Sequence, residues 1–143
     1  QLPYPNCMFD LVFAGEIIEH LVDTTYFLQQ IYRVLKPNGK VIITTPNLAS
    51  FENRVKILLG VYPKWVDYCL EEGSGHVRAY TVRVLRRQLI SVGLVPRVIL
   101  GNWVPFLPQA LINDKNIPLL ALTGNFFPAL SQGIIILANK PTL

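Results

Sequence analysis

The sequence predicts an α/β fold, a sheet with helices on both faces. Three observations carry this. Short apolar, β-branched runs occur at 9–14, 41–45, 95–100 and 134–138. Segments with helical spacing of apolar residues lie between them. The first two runs are joined through one such helix by short links, which makes a βαβ unit with parallel strands and a right-handed crossover.

Phe9 to Ala14 is almost wholly apolar, so it reads as a strand buried on both faces. Asp23 or Thr24 offers an N-cap, and Phe27, Leu28, Ile31, Val34 and Leu35 follow on one helical face. Lys36 suits the C-terminus of that helix, and Pro37 with Asn38-Gly39 ends it. Val41 to Thr45 is the next strand, closed by Pro46. Ser50 caps a second helix that stops near Gly60, and an irregular stretch runs from Val61 to His76. Thr81 caps a third helix, with Val82, Leu85 and Leu89 inward and Gly93 at its end. Pro96 places an edge or a bulge at the start of the strand 95–100. Residues 102–131 are apolar and broken by prolines, as in a helical insert or lid, and Ile134 to Ala138 is the last strand.

A chain of 143 residues supports one domain with one core, and 51% hydrophobic residues against 15% charged excludes disorder. The net charge is +4, concentrated locally at Arg78, Arg83, Arg86 and Arg87. Only Tyr80 lies among these arginines, so they read as a solvated helix face and nucleic acid is not expected as a partner. Cys7 and Cys69 make no CxxC pair and no disulfide framework, which favours a reducing, cytoplasmic setting. The stretch Ile117 to Asn139 has no charge, but Pro118, Gly124, Asn125, Pro128 and Gly133 divide it. Buried core is therefore expected rather than a transmembrane segment, with peripheral membrane contact as the alternative. The chain begins at Gln1 rather than Met, and is read as a piece of a longer one.

In open α/β sheets, ligands sit beyond the carboxyl ends of the strands. Here those places are Ala14-Gly15-Glu16 and Thr45-Pro46-Asn47. Around them lie FDLVFAGEIIEHL (Phe9 to Leu21), YRVLKPNGKVIITTPN (Tyr32 to Asn47) and GHVRAYTVRVLRRQLISVGL (Gly75 to Leu94). In this order and spacing, the three segments resemble the ubiquinone-biosynthesis-like, type 11/12 family of class I S-adenosylmethionine-dependent methyltransferases. The resemblance weakens after Gly101.

The resemblance implies a Rossmann-like, seven-stranded sheet of order 3-2-1-4-5-7-6 with the last strand antiparallel. This chain would supply strands 4 to 7, the C-terminal half of the domain. The family's glycine-rich loop and its ribose-binding acidic residue would lie in the missing N-terminal half. Gly73-Ser74-Gly75 does not replace that loop, because it does not join a strand to a helix. The chain alone is therefore expected to bind S-adenosylmethionine weakly and to be inactive.

By position, Ala14, Gly15 and Glu16 would face the cofactor, Glu16 or His20 would accept a proton, and Asn47, His76 and Arg78 would contact the substrate. The expected reaction is methyl transfer to a small-molecule acceptor, with positioning and desolvation as the enzyme's main contributions. Trp103, Phe106, Phe126 and Phe127 read as core or lid aromatics and favour an apolar acceptor.

Glu16, Glu19 and His20 also form an E-x-x-E-H cluster. On a helix, offsets of three and four would bring these side chains together as ligands for Mg²⁺ or another divalent metal, with His76 as a possible fourth. The pattern resembles the metal site of ubiquinone O-methyltransferases and small-RNA 2′-O-methyltransferases. The alternative is that these side chains only hold the loop. A second functional reading is a non-catalytic half-domain, a scaffold whose first strand pairs with another chain.

Overall fold

The computed structural model describes residues 1–67, 73–106 and 116–142. Cys69 and residues 107–115 of the expected insert lie outside the described residues. Among the described residues there are four strands, β1 (Phe9–Gly15), β2 (Leu35–Pro46), β3 (Val95–Gly101) and β4 (Gly133–Asn139), and four α-helices, α1 (Thr24–Val34), α2 (Phe51–Leu58), α3 (Val82–Ser91) and α4 (Ile117–Phe126), with α2 and α3 both between β2 and β3. The sheet order is β1-β2-β4-β3. β1 and β2 are parallel, and β4 runs antiparallel to both β2 and β3. This is the expected 4-5-7-6 portion of the Rossmann-like sheet.

Each of the first three helices begins where a short polar side chain can satisfy a free backbone N–H. Asp23 accepts from the Tyr26 amide, Ser50 from Asn53 and Thr81 from Val84. α4 has no side-chain cap and starts instead with Pro118 in its first turn, where a missing N–H costs nothing. Leu28 and Ile31 of α1 and Leu85 and Leu89 of α3 pack with Val41, Ile43, Ile134 and Ile136 to form the core. Burial alternates residue by residue along β4, as a strand with one well-covered face requires. Gly124 of α4 lies so close to the Gly101 and Asn102 backbone that a Cβ would collide with the Gly101 carbonyl oxygen.

Three local expectations are corrected. Helix α1 ends at Val34, and Lys36 is not its terminal cation. Its last carbonyls are met by the buried Lys140, whose Nζ donates to the Tyr32 and Leu35 oxygens at 3.0 and 2.9 Å. Lys36 reaches Asp10 at 2.7 Å instead. The Pro37-Asn38-Gly39 turn falls inside β2 as an irregularity, with Asn38 at φ 63° and the register jumping between Phe9↔Leu35 and Leu11↔Lys40. Finally, β1 is not buried on both faces, since Leu11 is 54% exposed and Phe13 68%. Among the described residues β1 is an edge strand that pairs only with β2, and nothing covers those side chains. The bulge expected at Pro96 is present, as a register shift between Pro96 and Val98.

No described helix is long and apolar enough to cross a membrane. Exposed apolar residues gather on the tail of α2 (Ile57, Leu58, Leu59) and on α4 (Leu119, Phe126).

Candidate functional site

The carboxyl ends of β1 and β2 carry the site. The Glu16 amide donates to the Thr44 oxygen at 3.1 Å, one step beyond the last paired residues of β1 and β2. Glu16 then turns the chain with φ 49°, a left-handed conformation that is uncommon for a residue with a Cβ. Its carboxyl accepts from Thr44 Oγ1 at 2.7 Å. The segment that follows is not an α-helix but a single 3₁₀ turn, Ile18–His20. The helical offsets expected to unite Glu16, Glu19 and His20 therefore do not apply.

That turn sorts its side chains by burial. Ile18 is fully buried and anchors the turn in the core, while Glu19 is 1% exposed. Glu19 Oε2 accepts from Thr45 Oγ1 at 2.9 Å. Its Oε1 is buried and has no partner among the described residues. An orphaned acceptor of this kind is costly and calls for a missing ligand or proton.

The segment from 73 to 78 is laced onto this turn. The Glu19 carbonyl accepts from the Val77 and Arg78 amides at 2.9 and 3.0 Å. Gly75, at φ 80°, lies against the His20 ring and presents its carbonyl to His20 Nδ1 at 3.0 Å. Asp67 gathers the segment from the other side, accepting from the His76 amide at 2.8 Å and from Ser74 Oγ at 3.1 Å. Desolvation pushes the Asp67 carboxyl up, but the amides of His76, Ser74 and Gly75 outweigh it and hold its pKa below the ordinary aspartate value. His76 Nδ1 meets the Trp65 carbonyl at 3.1 Å, and the two histidine rings sit edge to face, 4.7 Å between centroids.

These contacts set the tautomers. A carbonyl oxygen can only accept, so Nδ1 of both His20 and His76 carries its proton, and Nε2 of the neutral ring bears the lone pair. His20 Nε2 lies 3.9 Å from the orphaned Glu19 Oε1. One ligand atom each from Glu19, His20 and His76 lies within 4.8 Å of the others. Histidines oriented by carbonyl acceptors, beside a buried carboxyl oxygen without a partner, fit a divalent metal. His76 takes the third place that the sequence assigned to Glu16.

Beside this cluster opens a cavity of about 220 Å³ lined by Glu16, Pro46, Trp65, His76, Asn102, Gln132 and Gly133. A larger apolar groove of about 460 Å³ runs along β1, with Ala14, Gly15 and Phe13 in its wall. Ala14 and Gly15 thus line the groove and Glu16 the cavity, while His20 lines neither and stands beside the cavity residue His76. Asn47, expected to contact substrate, is instead wholly buried. Its Nδ2 donates to the Ala129 and Ser131 carbonyls, and its Oδ1 accepts from the Ala49 amide, so it holds the floor of the site together. Arg78 donates to the Val22 carbonyl and fastens the loop.

Trp65, Asp67, Asn102 and Gln132 were not singled out in the sequence. Asn102 follows the end of β3, so the strand-end rule reaches it. Gln132 precedes β4, whose antiparallel course puts its amino end at the site. Trp65 and Asp67 lie in an irregular segment with no periodic signal. Trp65 also has φ 64°, the second strained residue in the cavity wall after Glu16. Behind the cavity, burial pushes the Glu52 carboxyl up, but Lys64 at 2.8 Å and Lys56 at 3.5 Å hold it below the ordinary glutamate value. Burial raises the Tyr80 hydroxyl above its ordinary value.

The sequence signature of the family described as "Methyltransferase domain" matches residues 1–43. The chain is 40% identical over 103 residues to 27-O-demethylrifamycin SV methyltransferase of Amycolatopsis mediterranei, covering 67% of this chain and 33% of that protein. It is 38% identical over 61 residues to the mitochondrial ubiquinone biosynthesis O-methyltransferase of Bos taurus, covering 39% of this chain and 16% of that one. The matches span a third or less of the curated relatives' length. In fold, the chain is similar to a possible histamine N-methyltransferase of Thermotoga maritima, with a TM-score of 0.73 at 16% identity, covering 98% of this chain and 60% of that one.

Proposed function

Because the chain belongs to the class I S-adenosylmethionine-dependent methyltransferases, we propose that it forms the substrate-facing wall of an enzyme that methylates a hydroxyl oxygen on a small, largely apolar molecule. The observation that carries this reading is the convergence of Glu19, His20 and His76 near the carboxyl ends of two parallel strands, beside an open cavity lined by Glu16 and His76. The oxygen acceptor follows the two curated relatives, one named as an O-methyltransferase and the other by a 27-O-demethyl substrate.

The residues of this chain divide the work. Ala14 and Gly15 line the groove where the methionine end of the cofactor would lie, with the Phe13 ring packed against Gly15. S-adenosylmethionine, when bound, supplies an electrophilic sulfonium methyl. The cavity beside Glu16 and His76 receives the acceptor and positions it for attack. His20, with Nδ1 tied to Gly75, takes the hydroxyl proton at Nε2. Alternatively, Glu19, His20 and His76 would hold a divalent cation such as Mg²⁺, which would supply charge to orient and acidify the hydroxyl. The two roles of His20 exclude each other, since a lone pair given to a cation cannot accept a proton.

The open edge of β1 supports a companion strand in the working protein. Leu11, Phe13 and Ile17 are exposed, and their groove is too apolar to suit a free surface. The residues that bind most of the cofactor would arrive with that strand. The same edge would serve a non-catalytic half-domain that pairs with a second chain. The exposed tail of α2 and face of α4 support a peripheral membrane contact, and the exposed free thiol of Cys7 suits a reducing, cytoplasmic setting.

Methyl transfer from radiolabelled S-adenosylmethionine to phenolic acceptors, measured on the complete domain, tests the reading. His20→Ala and His76→Ala should each lower kcat by about two orders of magnitude, with cofactor affinity unchanged. Full rates in both variants would overturn it.

A further inference from the structure

The cavity also holds a hydrogen-bond donor whose direction is fixed by its neighbours. Asn102 Oδ1 accepts from two backbone amides, Trp103 at 2.7 Å and Gly133 at 2.8 Å. Two N–H groups can face only an acceptor, so the side-chain oxygen must point at them and the NH₂ must point away. No acceptor among the described residues takes up that NH₂. Asn102 lines the cavity, and so does Gly133, the residue that fixes it.

Trp65 stands in the same wall, with a half-exposed side chain and a left-handed backbone that the His76 contact to its carbonyl secures. Its ring leans on the His76 imidazole at 6.2 Å between centroids. A large aromatic surface held in a strained conformation beside a preset donor is suited to a flat ring that carries its own acceptor atom. A cavity of about 220 Å³ has room for a small ring system.

We propose that Asn102 is a specificity-determining residue: its Nδ2 donates to a carbonyl oxygen on an aromatic acceptor whose ring packs against Trp65. This rests on reading the cavity as the acceptor site. It assigns the acceptor class as an aryl ketone, whose carbonyl would take the hydrogen bond that solvent takes from this exposed side chain in the free protein. Asn102 acts by binding and takes no part in proton transfer.

Two neutral phenols separate the terms. 4-Hydroxyacetophenone carries a ring carbonyl, and 4-ethylphenol is its near-isostere without one. Binding of each to the full-length protein is measured by calorimetry without cofactor turnover. The ketone should bind about three- to tenfold more tightly to the wild type. Asn102→Asp keeps the oxygen that holds Trp103 and Gly133 and replaces the donor by an acceptor. It should leave Tm unchanged and erase the preference by weakening the ketone alone, whereas Trp65→Ala should weaken both ligands. Equal affinities in the wild type, no binding of either phenol, or a preference that survives Asn102→Asp would overturn the assignment. A preserved preference in a wild type that methylates neither phenol would sink the proposed methyl transfer while leaving the role of Asn102 intact.

Discussion

Glu19→Gln reverses a local mismatch, and its effect should change sign with metal. In the wild type, Glu19 Oε2 accepts from Thr45 Oγ1, while Oε1 is buried without a partner, 3.9 Å from His20 Nε2. With Gly75 fixing the His20 tautomer, two acceptors face each other. In the glutamine variant the side-chain oxygen keeps the Thr45 bond, and the NH₂ faces the imidazole lone pair. An unpaired buried acceptor costs about 1–3 kcal/mol. Removing that cost, less the imperfect new geometry, should stabilise the chelated protein by about 1 kcal/mol, or about 3 °C in Tm for a domain of this size. A divalent cation at a hundred times its Kd should stabilise the wild type by about 2.7 kcal/mol and the variant not at all. Differential scanning fluorimetry with chelator, Mg²⁺ and Mn²⁺ reads both effects. A variant that is less stable than the wild type in chelator, or that gains the same shift on adding metal, would refute the reasoning.

Two further perturbations probe the frame around the site. Asp67 is held below the ordinary aspartate pKa, so the stability it lends the 73–76 segment is fully present above the unfolded-state value. That stability is lost as pH falls through the lower folded-state value. Acid titration should therefore release the segment in that window, seen as a red shift in Trp65 emission, and Asp67→Asn should remove the pH dependence. Gly124→Ala should destabilise the fold by about 1–3 kcal/mol, because the new methyl meets the Gly101 carbonyl, and chemical denaturation measures it.

The fold was legible in the sequence where local chemistry and burial agree. Asp23, Ser50 and Thr81 announced three helices, and the β-branched run Val41 to Thr45 announced the strand beside β1. The end of α1 was misread because its capping cation, Lys140, comes from the far end of the chain, where no local pattern points to it. The exposure of β1 was misread because composition shows that a strand is apolar but not whether its partner is present. At the site, the sequence grouped Glu16, Glu19 and His20, with His76 as a fourth, whereas the structure gathers Glu19, His20 and His76 and leaves Glu16 out. A 3₁₀ turn, rather than a helix, turns Glu19 inward and sends Glu16 to Thr44. Asn47 was placed at the correct strand end, but its side chain is consumed by the turn before β4. Trp65 and Asp67 could not be found from spacing, since their positions depend on bonds to a segment about ten residues away.

The central claim is that this chain carries the catalytic wall of a methyltransferase, and single-turnover methyl transfer by the complete domain tests it most directly. With labelled S-adenosylmethionine and a phenolic acceptor, the wild type should transfer label to the hydroxyl oxygen. His20→Ala should slow that step about a hundredfold without weakening cofactor binding. Transfer at the wild-type rate by His20→Ala, or a wild type that binds the cofactor and transfers nothing to any hydroxyl acceptor, would contradict it.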